Sequence, residues 1–300
     1  MSLHDDLLAM LEGVADVSLV ARLRDRRLGF PDETRLNVFI PDIHLVTPRR
    51  QYRFGTNSPE LLTAVVRGLR DFRTVAAPGQ VTVYQLGDLL DLWRETPGLD
   101  PDADVASAIE DEHPDLMEAL YHPALDAQFV LGNHDYDLYR WPNYDVWQRH
   151  FRVAPTVLAL HGDIFDCVEK LPDPAQNVLV HLLAPAARPY SFELGESAAP
   201  SAAGDRFNVQ DAQSPPEMLR FFDSARGFAG GLTTLVIGHT HHARLVVHED
   251  GDDLFALVDC GAWIENCVTA DDPAPRPSAQ LGVLGDDEIR IYQLAPRRKL

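Results

Sequence analysis

The chain has 300 residues, 45% hydrophobic and 24% charged, an ordinary globular composition. Acidic side chains outnumber basic ones 46 to 26, and a net charge of −20 disfavours a general nucleic-acid binder, because its field repels a phosphate backbone. No apolar run reaches the ~18 residues of a membrane span, the amino terminus lacks an apolar signal core, and three cysteines without CxxC spacing read as reduced thiols, so the expected setting is the cytoplasm.

Taken in order, residues 3–28 carry Leu7, Leu8, Leu11, Val14, Ala15, Leu19 and Leu23 at helical spacing, which predicts a covering helix with a break allowed at Gly13. With it, 1–34 reads as an N-terminal helical extension of a single domain over 1–300. An apolar strand over 36–41 then runs into Asp42 and His44. The basic loop at 47–54 holds Arg49, Arg50 and Arg53, whose guanidinium forks suit phosphate oxygens. An anion clamp and a solvated loop are the two readings of it. Ser58-Pro59 opens a helix, with Ser58 as its cap.

A second apolar run, 81–86, meets Gly87-Asp88, with Asp91 three residues on. An acidic helical segment follows at 102–120. The run 129–131 leads into Gly132-Asn133-His134-Asp135, and the aromatic series Tyr136, Tyr139, Trp141, Tyr144 and Trp147 reads as packing. The run 156–160 meets His161-Gly162-Asp163, and 235–237 meets Gly238-His239-Thr240-His241. Between these two lies an insertion, 164–232, predicted helical at 178–183 and 216–228 and loop-like at 198–213, well placed to cap a site. Antiparallel strands complete the chain at 244–248, 254–259, 281–284 and 288–294, the first pair joined by an Asp250-Gly251 turn.

Five strand ends thus deliver carboxylate, amide or imidazole groups, and open α/β sheets place their chemistry at that edge. Asp42, His44, Asp88, Asn133, His161, His239 and His241 are oxygen and nitrogen donors without a thiolate, a mix that suits Mn or Fe, with Zn possible. Seven donors exceed one ion's needs and fit two ions about 3.5–4 Å apart that share a bridging carboxylate. Such a pair clamps a phosphate and lowers the pKa of a water to give the hydroxide that attacks it. No GxSxG elbow, phosphate-binding GxxxxGK[ST] loop or GxGxxG fingerprint is present.

The blocks Asp42-Ile43-His44, Gly87-Asp88-Leu89-Leu90-Asp91, Gly132-Asn133-His134-Asp135, His161-Gly162-Asp163 and Gly238-His239-Thr240-His241 resemble, in order, the signature of the calcineurin-like metallophosphoesterases. The resemblance covers residues 42–241. It implies a four-layer α/β/β/α sandwich with a mostly helical insertion and both metals at the sheets' carboxyl edge. By position, Asp42, His44, Asp88 and His241 would hold one ion, and Asp88, Asn133, His161 and His239 the other. His134, oriented by Asp91, would meet the phosphate or protonate the leaving oxygen. The expected function is hydrolysis of a small phosphorylated molecule, a phosphomonoester or phosphodiester. The insertion is also similar in position and length to the lid of the bacterial UDP-2,3-diacylglucosamine pyrophosphatases, which gives a second reading. That subgroup usually has arginine where His134 stands and a more basic lid. From a different class, a non-catalytic scaffold on the same fold is the third reading, and such scaffolds typically lose ligands that this chain keeps.

Overall fold

The computed structural model describes residues 2–30, 35–47, 57–92, 103–163, 231–239, 241–264 and 277–297. Four helices and eleven strands occur among them: α1 (Leu3–Val14), β1 (Ala15–Leu23), β2 (Leu36–Ile40), α2 (Pro59–Val75), β3 (Val81–Gln85), α3 (Ala103–Glu112), α4 (Pro114–Leu120), β4 (Gln128–Phe129), β5 (His150–Ala154), β6 (Val157–Leu160), β7 (Thr234–Ile237), β8 (Arg244–Asp250), β9 (Asp253–Asp259), β10 (Gln280–Gly285) and β11 (Glu288–Pro296). They form a mixed α/β fold with two sheets, ordered β1-β11-β10-β2-β3-β4 and β5-β6-β7-β9-β8.

Alternation along the strands explains the layering. In the first sheet Val38, Val83, Leu281 and Leu294 face a core shared with Leu7, Leu11, Leu62, Val66 and Leu69 of α1 and α2. The intervening Phe39, Tyr84, Leu284 and Ile291 face a second core, completed from the other sheet by Val157, Ala159, Val236, Ala256 and Val258. A sheet buried on both faces reads as near-continuous apolar sequence, as 36–40 does apart from Asn37. Three layers, helices on sheet on sheet, are described; the helical insertion expected at 164–232 falls almost wholly outside the described residues, as do the helices expected at 178–183 and 216–228.

β2, β3 and β4 run parallel in one sheet, and β6, β7 and β9 run parallel in the other. Their carboxyl ends therefore gather along one edge of the sandwich.

The N-terminal expectation needs correction. The helix stops at Val14, and 15–23 is strand β1, paired antiparallel with β11 from Ala15↔Pro296 to Leu23↔Ile289. The 1–34 segment is thus only partly helical, and nine of its residues form an edge of the first sheet. Leu19 of the apparent helical stripe stays exposed, while Ala15 is buried and Leu23 packs against the second core from the strand. Pairing with β11 outweighs a weak helical pattern. Ser2 caps α1 in a reciprocal box: its Oγ accepts the Asp5 N–H at 3.2 Å, and the Asp5 carboxylate accepts the Ser2 N–H at 2.9 Å.

Ser58 stands at the N-cap position of α2 but does not cap it, because its backbone is left-handed (φ 44°) and its hydroxyl donates to Asn57 Oδ1. The chain has to turn sharply there, since the Asn57 N–H is already held by the Trp263 carbonyl at 2.9 Å. The acidic segment is two helices rather than one, α4 restarting at Pro114, whose ring cannot continue a helix from within.

Leu11 is fully buried against α2 and the first sheet. Leu11→Ala is expected to cost ~2–5 kcal/mol of stability, read as a lower urea midpoint. An unchanged midpoint would mean that α1 does not belong to the cooperative core.

Candidate metal centre

Each parallel strand ends in a loop that carries part of the site. β2 supplies Asp42 and His44, β3 supplies Asp88 and Asp91, β4 supplies Asn133 and His134, β6 supplies His161, and β7 supplies His239 and His241. The loops are laced together through backbone. The His44 N–H donates to the Asp88 carbonyl at 2.8 Å, the Trp263 N–H to the Asp42 carbonyl at 2.7 Å, and the Gly238 N–H to the His161 carbonyl at 3.0 Å.

This lacing holds His44, Asp88, His239 and His241 at left-handed φ values of 54°, 52°, 66° and 61°. Non-glycine residues adopt that region at a cost of about 1–3 kcal/mol each and do so mainly where the surroundings dictate it. The glycines of the motifs have a different purpose, close approach. A Cβ on Gly132 would lie 2.0 Å from Asp88 Oδ1, and one on Gly238 would lie 2.1 Å from Asp42 Oδ1.

All seven residues put forward from sequence as donors come together, in two overlapping groups. In one, His241 Nε2 lies 3.0 Å from His44 Nε2 and 3.2 Å from Asp42 Oδ2. In the other, His161 Nε2 lies 2.9 Å from Asn133 Oδ1, 3.2 Å from His239 Nδ1 and 3.3 Å from Asp88 Oδ2. Asp88 Oδ2 is also 3.7 Å from His44 Nε2, so this one carboxylate borders both groups.

The tautomers say what the arrangement accommodates. His161 Nδ1–H donates to the Leu86 carbonyl at 2.9 Å, and His44 Nδ1–H donates to the Asp91 carboxylate at 3.1 Å. Their Nε2 atoms are thereby turned inward, toward His241 Nε2, Asn133 Oδ1 and Asp88 Oδ2. Buried acceptors that converge in this way are stabilised by a cation among them, a proton or a metal ion. The residues present fit bound metal, and Asp42–His44–His241 and Asp42–Asp88–His161 each bring three donor atoms within 4.8 Å.

Electrostatics gives the same answer. Burial disfavours charge on His161, yet the Asp88 and Asp42 carboxylates outweigh it and push its pKa up to about 10. Asp42 and Asp88 are held below the usual carboxylate range despite their own burial, with His161 as the largest opposing influence. The field of this cavity thus demands a positive charge, and without a metal a proton on His161 supplies it. Cation uptake has to displace that proton. Apparent Mn affinity is expected to rise about tenfold per pH unit until the pH approaches the pKa of His161, with about one proton released per chain. Calorimetry in buffers of differing ionisation heat measures both; affinity independent of pH would contradict this picture.

His134 is set apart from the seven. Its Nδ1–H donates to Asp91 Oδ1 at 2.8 Å, while the other oxygen of Asp91 serves His44. Its backbone N–H donates to Asp88 Oδ1 at 2.9 Å. With Nδ1 engaged, proton exchange at this ring falls to Nε2. Arg49, Arg50 and Arg53 lie outside the described residues.

Several site residues escaped the sequence reading. Asp135 accepts the N–H groups of Leu89 and Gly132, each at 2.7 Å, tying two loops together, and burial with the nearby Asp88 charge raises its pKa to about 7. The Gln85 amide brackets Gly87, donating to its carbonyl at 2.6 Å and accepting its N–H at 3.1 Å. Between them the Leu86 carbonyl is aimed at His161. The end of β9 is a sixth strand end at this edge, with Ala262 bridged to Asp42. Its signal was in the sequence: the apolar 254–258 run leads into Asp259-Cys260-Gly261, the pattern that marked the other five. Of the aromatic series, Tyr136, Tyr144 and Trp147 are buried, Trp147 stacking on Phe129 and meeting Tyr144 edge-on, while Tyr139 is exposed.

No protein-family model matches the chain. Curated proteins similar to it include the UDP-2,3-diacylglucosamine hydrolase of Stenotrophomonas maltophilia strain K279a, 27% identical over 256 residues that cover 76% of this chain and 91% of that protein. The protein of the same name from strain R551-3 is 26% identical over 257 residues, with the same coverage of 76% and 91%. This distant similarity spans most of both chains, and the named relatives are hydrolases.

Proposed function

We propose that this chain is a dinuclear metal-dependent phosphoesterase of the calcineurin-like type, acting on a small phosphorylated substrate. The observation that carries the reading is the convergence of the nitrogen and oxygen atoms of His44, His161, Asn133 and Asp88 on a cavity that demands positive charge. The similarity to hydrolases named for UDP-2,3-diacylglucosamine supports the reaction class. When bound, the two ions supply Lewis acidity toward the phosphoryl oxygens and acidify the attacking water. Mn and Fe fit the donor set, and Zn is compatible with it.

The chain's own groups do the rest. Asp88, bordering both donor groups, fixes their separation. Asp91 holds His134 Nδ1–H, so that Nε2 carries a proton to the oxygen of the departing group. His44 is fixed by the same carboxylate, which ties the orientation of a metal donor to that of the acid. Arg49, Arg50 and Arg53 are proposed to meet the substrate's anionic portion. Arg49→Ala and Arg50→Ala are expected to raise KM several-fold and leave kcat nearly unaltered, the signature of uniform binding; an unaltered KM removes the clamp.

A second reading, hydrolysis of UDP-2,3-diacylglucosamine itself, is favoured by the names of the two relatives. One comparison tests both: Mn-loaded protein is offered an aryl phosphomonoester, the matching bis-aryl diester and UDP-2,3-diacylglucosamine. Cleavage of either aryl ester supports the small-molecule reading, and cleavage of the lipid nucleotide alone supports the second. Cleavage of none, in protein that binds the ions, favours the scaffold.

A further inference from the structure

Resting on the dinuclear reading, we propose that Arg149 and Asp163 form a positioning pair for one half of the centre. The half concerned is built from Asn133, His161 and His239, and the pair governs occupancy of that ion position independently of the other.

Arg149 is anchored beside β4 by its neighbour. The Gln148 N–H donates to the Phe129 carbonyl at 3.0 Å, and the Gln148 carbonyl accepts the Leu131 N–H at 2.8 Å. From there the guanidinium reaches in two directions. Nη1 donates to the Leu131 carbonyl at 3.1 Å and more distantly to the Gly132 carbonyl at 3.5 Å, immediately before Asn133. Nη2 donates to Asp163 Oδ2 at 2.6 Å, two residues after His161. Its Cζ lies over the Tyr136 ring, 4.9 Å from the centroid.

Between His161 and Asp163, Gly162 adopts φ 124° and presses on His239, so closely that an added Cβ would lie 3.1 Å from His239 Cβ. One arginine thus fixes the Asn133 loop through its carbonyls and the His161 loop through Asp163, and Gly162 backs His239, whose N–H is also held by the Asp42 carboxylate at 2.9 and 3.0 Å. Asp42, His44 and His241 are held by other groups, namely Trp263, Asp91 and one another.

Arginine suits this duty where lysine does not, since a rigid fork can serve a carbonyl and a carboxylate at once. Both side chains are largely buried, 19% and 6% exposed. A buried ion pair adds little to stability compared with an apolar pair of similar size, so geometry is the better account of its presence.

The test therefore removes both charges together. The double variant Arg149→Met, Asp163→Leu leaves no orphaned charge and is expected to melt within a few degrees of the parent in chelator. Metal-stripped protein is titrated with Mn²⁺ and read as ions per chain and by electron paramagnetic resonance, which separates a spin-coupled pair from an isolated ion. The parent is expected to take up two coupled ions. The double variant is expected to hold one isolated ion with parental affinity and the second ~10–100-fold more weakly. Adding His241→Ala to the double variant is expected to remove the remaining tight ion.

Two ions bound with parental affinity, or equal weakening of both in folded protein, would overturn the proposal. Should the double variant fail to fold, Asp163→Asn carries the same readout with the same expected and overturning results. Parent protein that takes up no coupled pair refutes the dinuclear reading itself, and the positioning role falls with it; that failure shows in the parent, before any variant is compared.

Discussion

Asp88→Asn is expected to lower turnover by ~10³-fold or more and to abolish the coupled metal pair. Asp88 lies within reach of both donor groups, 3.7 Å from His44 Nε2 and 3.3 Å from His161 Nε2, as Asp42 also does. Its second oxygen is not spare, since it accepts the His134 N–H at 2.9 Å. Asparagine keeps the shape but offers one neutral oxygen where two charged ones are used, and an amide N–H would face the His161 lone pair or the His134 N–H. The loss should therefore fall on metal uptake first and on turnover as its consequence. Elemental analysis and steady-state kinetics on the same sample check the order. Full uptake of two ions by Asp88→Asn would remove Asp88 from its shared position.

His134→Ala is expected to behave differently, losing ~10²–10⁴-fold in kcat while both ions stay bound. Its ring falls in a third three-donor set, with His44 and Asp91, but there its Nδ1 is engaged by Asp91, and the two sets built around Asp42 do not include it. Asp91→Asn should combine the two phenotypes, because its oxygens serve His134 at 2.8 Å and His44 at 3.1 Å. The contrast between the two variants is the informative part. Unchanged turnover in His134→Ala would sink the acid role, and weakened ion binding there would make the histidine a metal donor.

The strands at this edge were legible because each ends an apolar run at a glycine or a metal-binding side chain. Those two requirements, burial on both faces and close approach of a carboxylate to backbone, are written locally: Gly132 against Asp88 and Gly238 against Asp42 leave no alternative residue. The pairing of β1 with β11 was not legible, since a nine-residue edge strand meets its partner nearly the whole chain length away and its sequence mimics a helical stripe. Arg149 was invisible for a related reason. Nothing around a single arginine between Gln148 and His150 announces that it reaches Leu131 and Asp163, and only the folded chain brings them to it. Asp135 closes the Gly132-Asn133-His134-Asp135 motif, but its duty as an acceptor of two N–H groups depends on how the loop after β3 turns.

The similarity to two UDP-2,3-diacylglucosamine hydrolases agrees in reaction class with what the donor set allows, while His134 and the chain's acidity leave the substrate to experiment. Among the described residues no helix is long and apolar enough to cross a membrane.

The central claim, that two ions held by this cluster carry a phosphoesterase activity, is tested most directly by one titration. Chelator-stripped protein receives Mn²⁺ in steps, and bis-aryl phosphodiester and aryl phosphomonoester hydrolysis is followed at each step against Asp88→Asn. Turnover of at least one ester is expected to appear as the second ion per chain binds and to stay at the blank level in Asp88→Asn. Hydrolysis that persists in chelator, or that is equal in Asp88→Asn, would contradict the account.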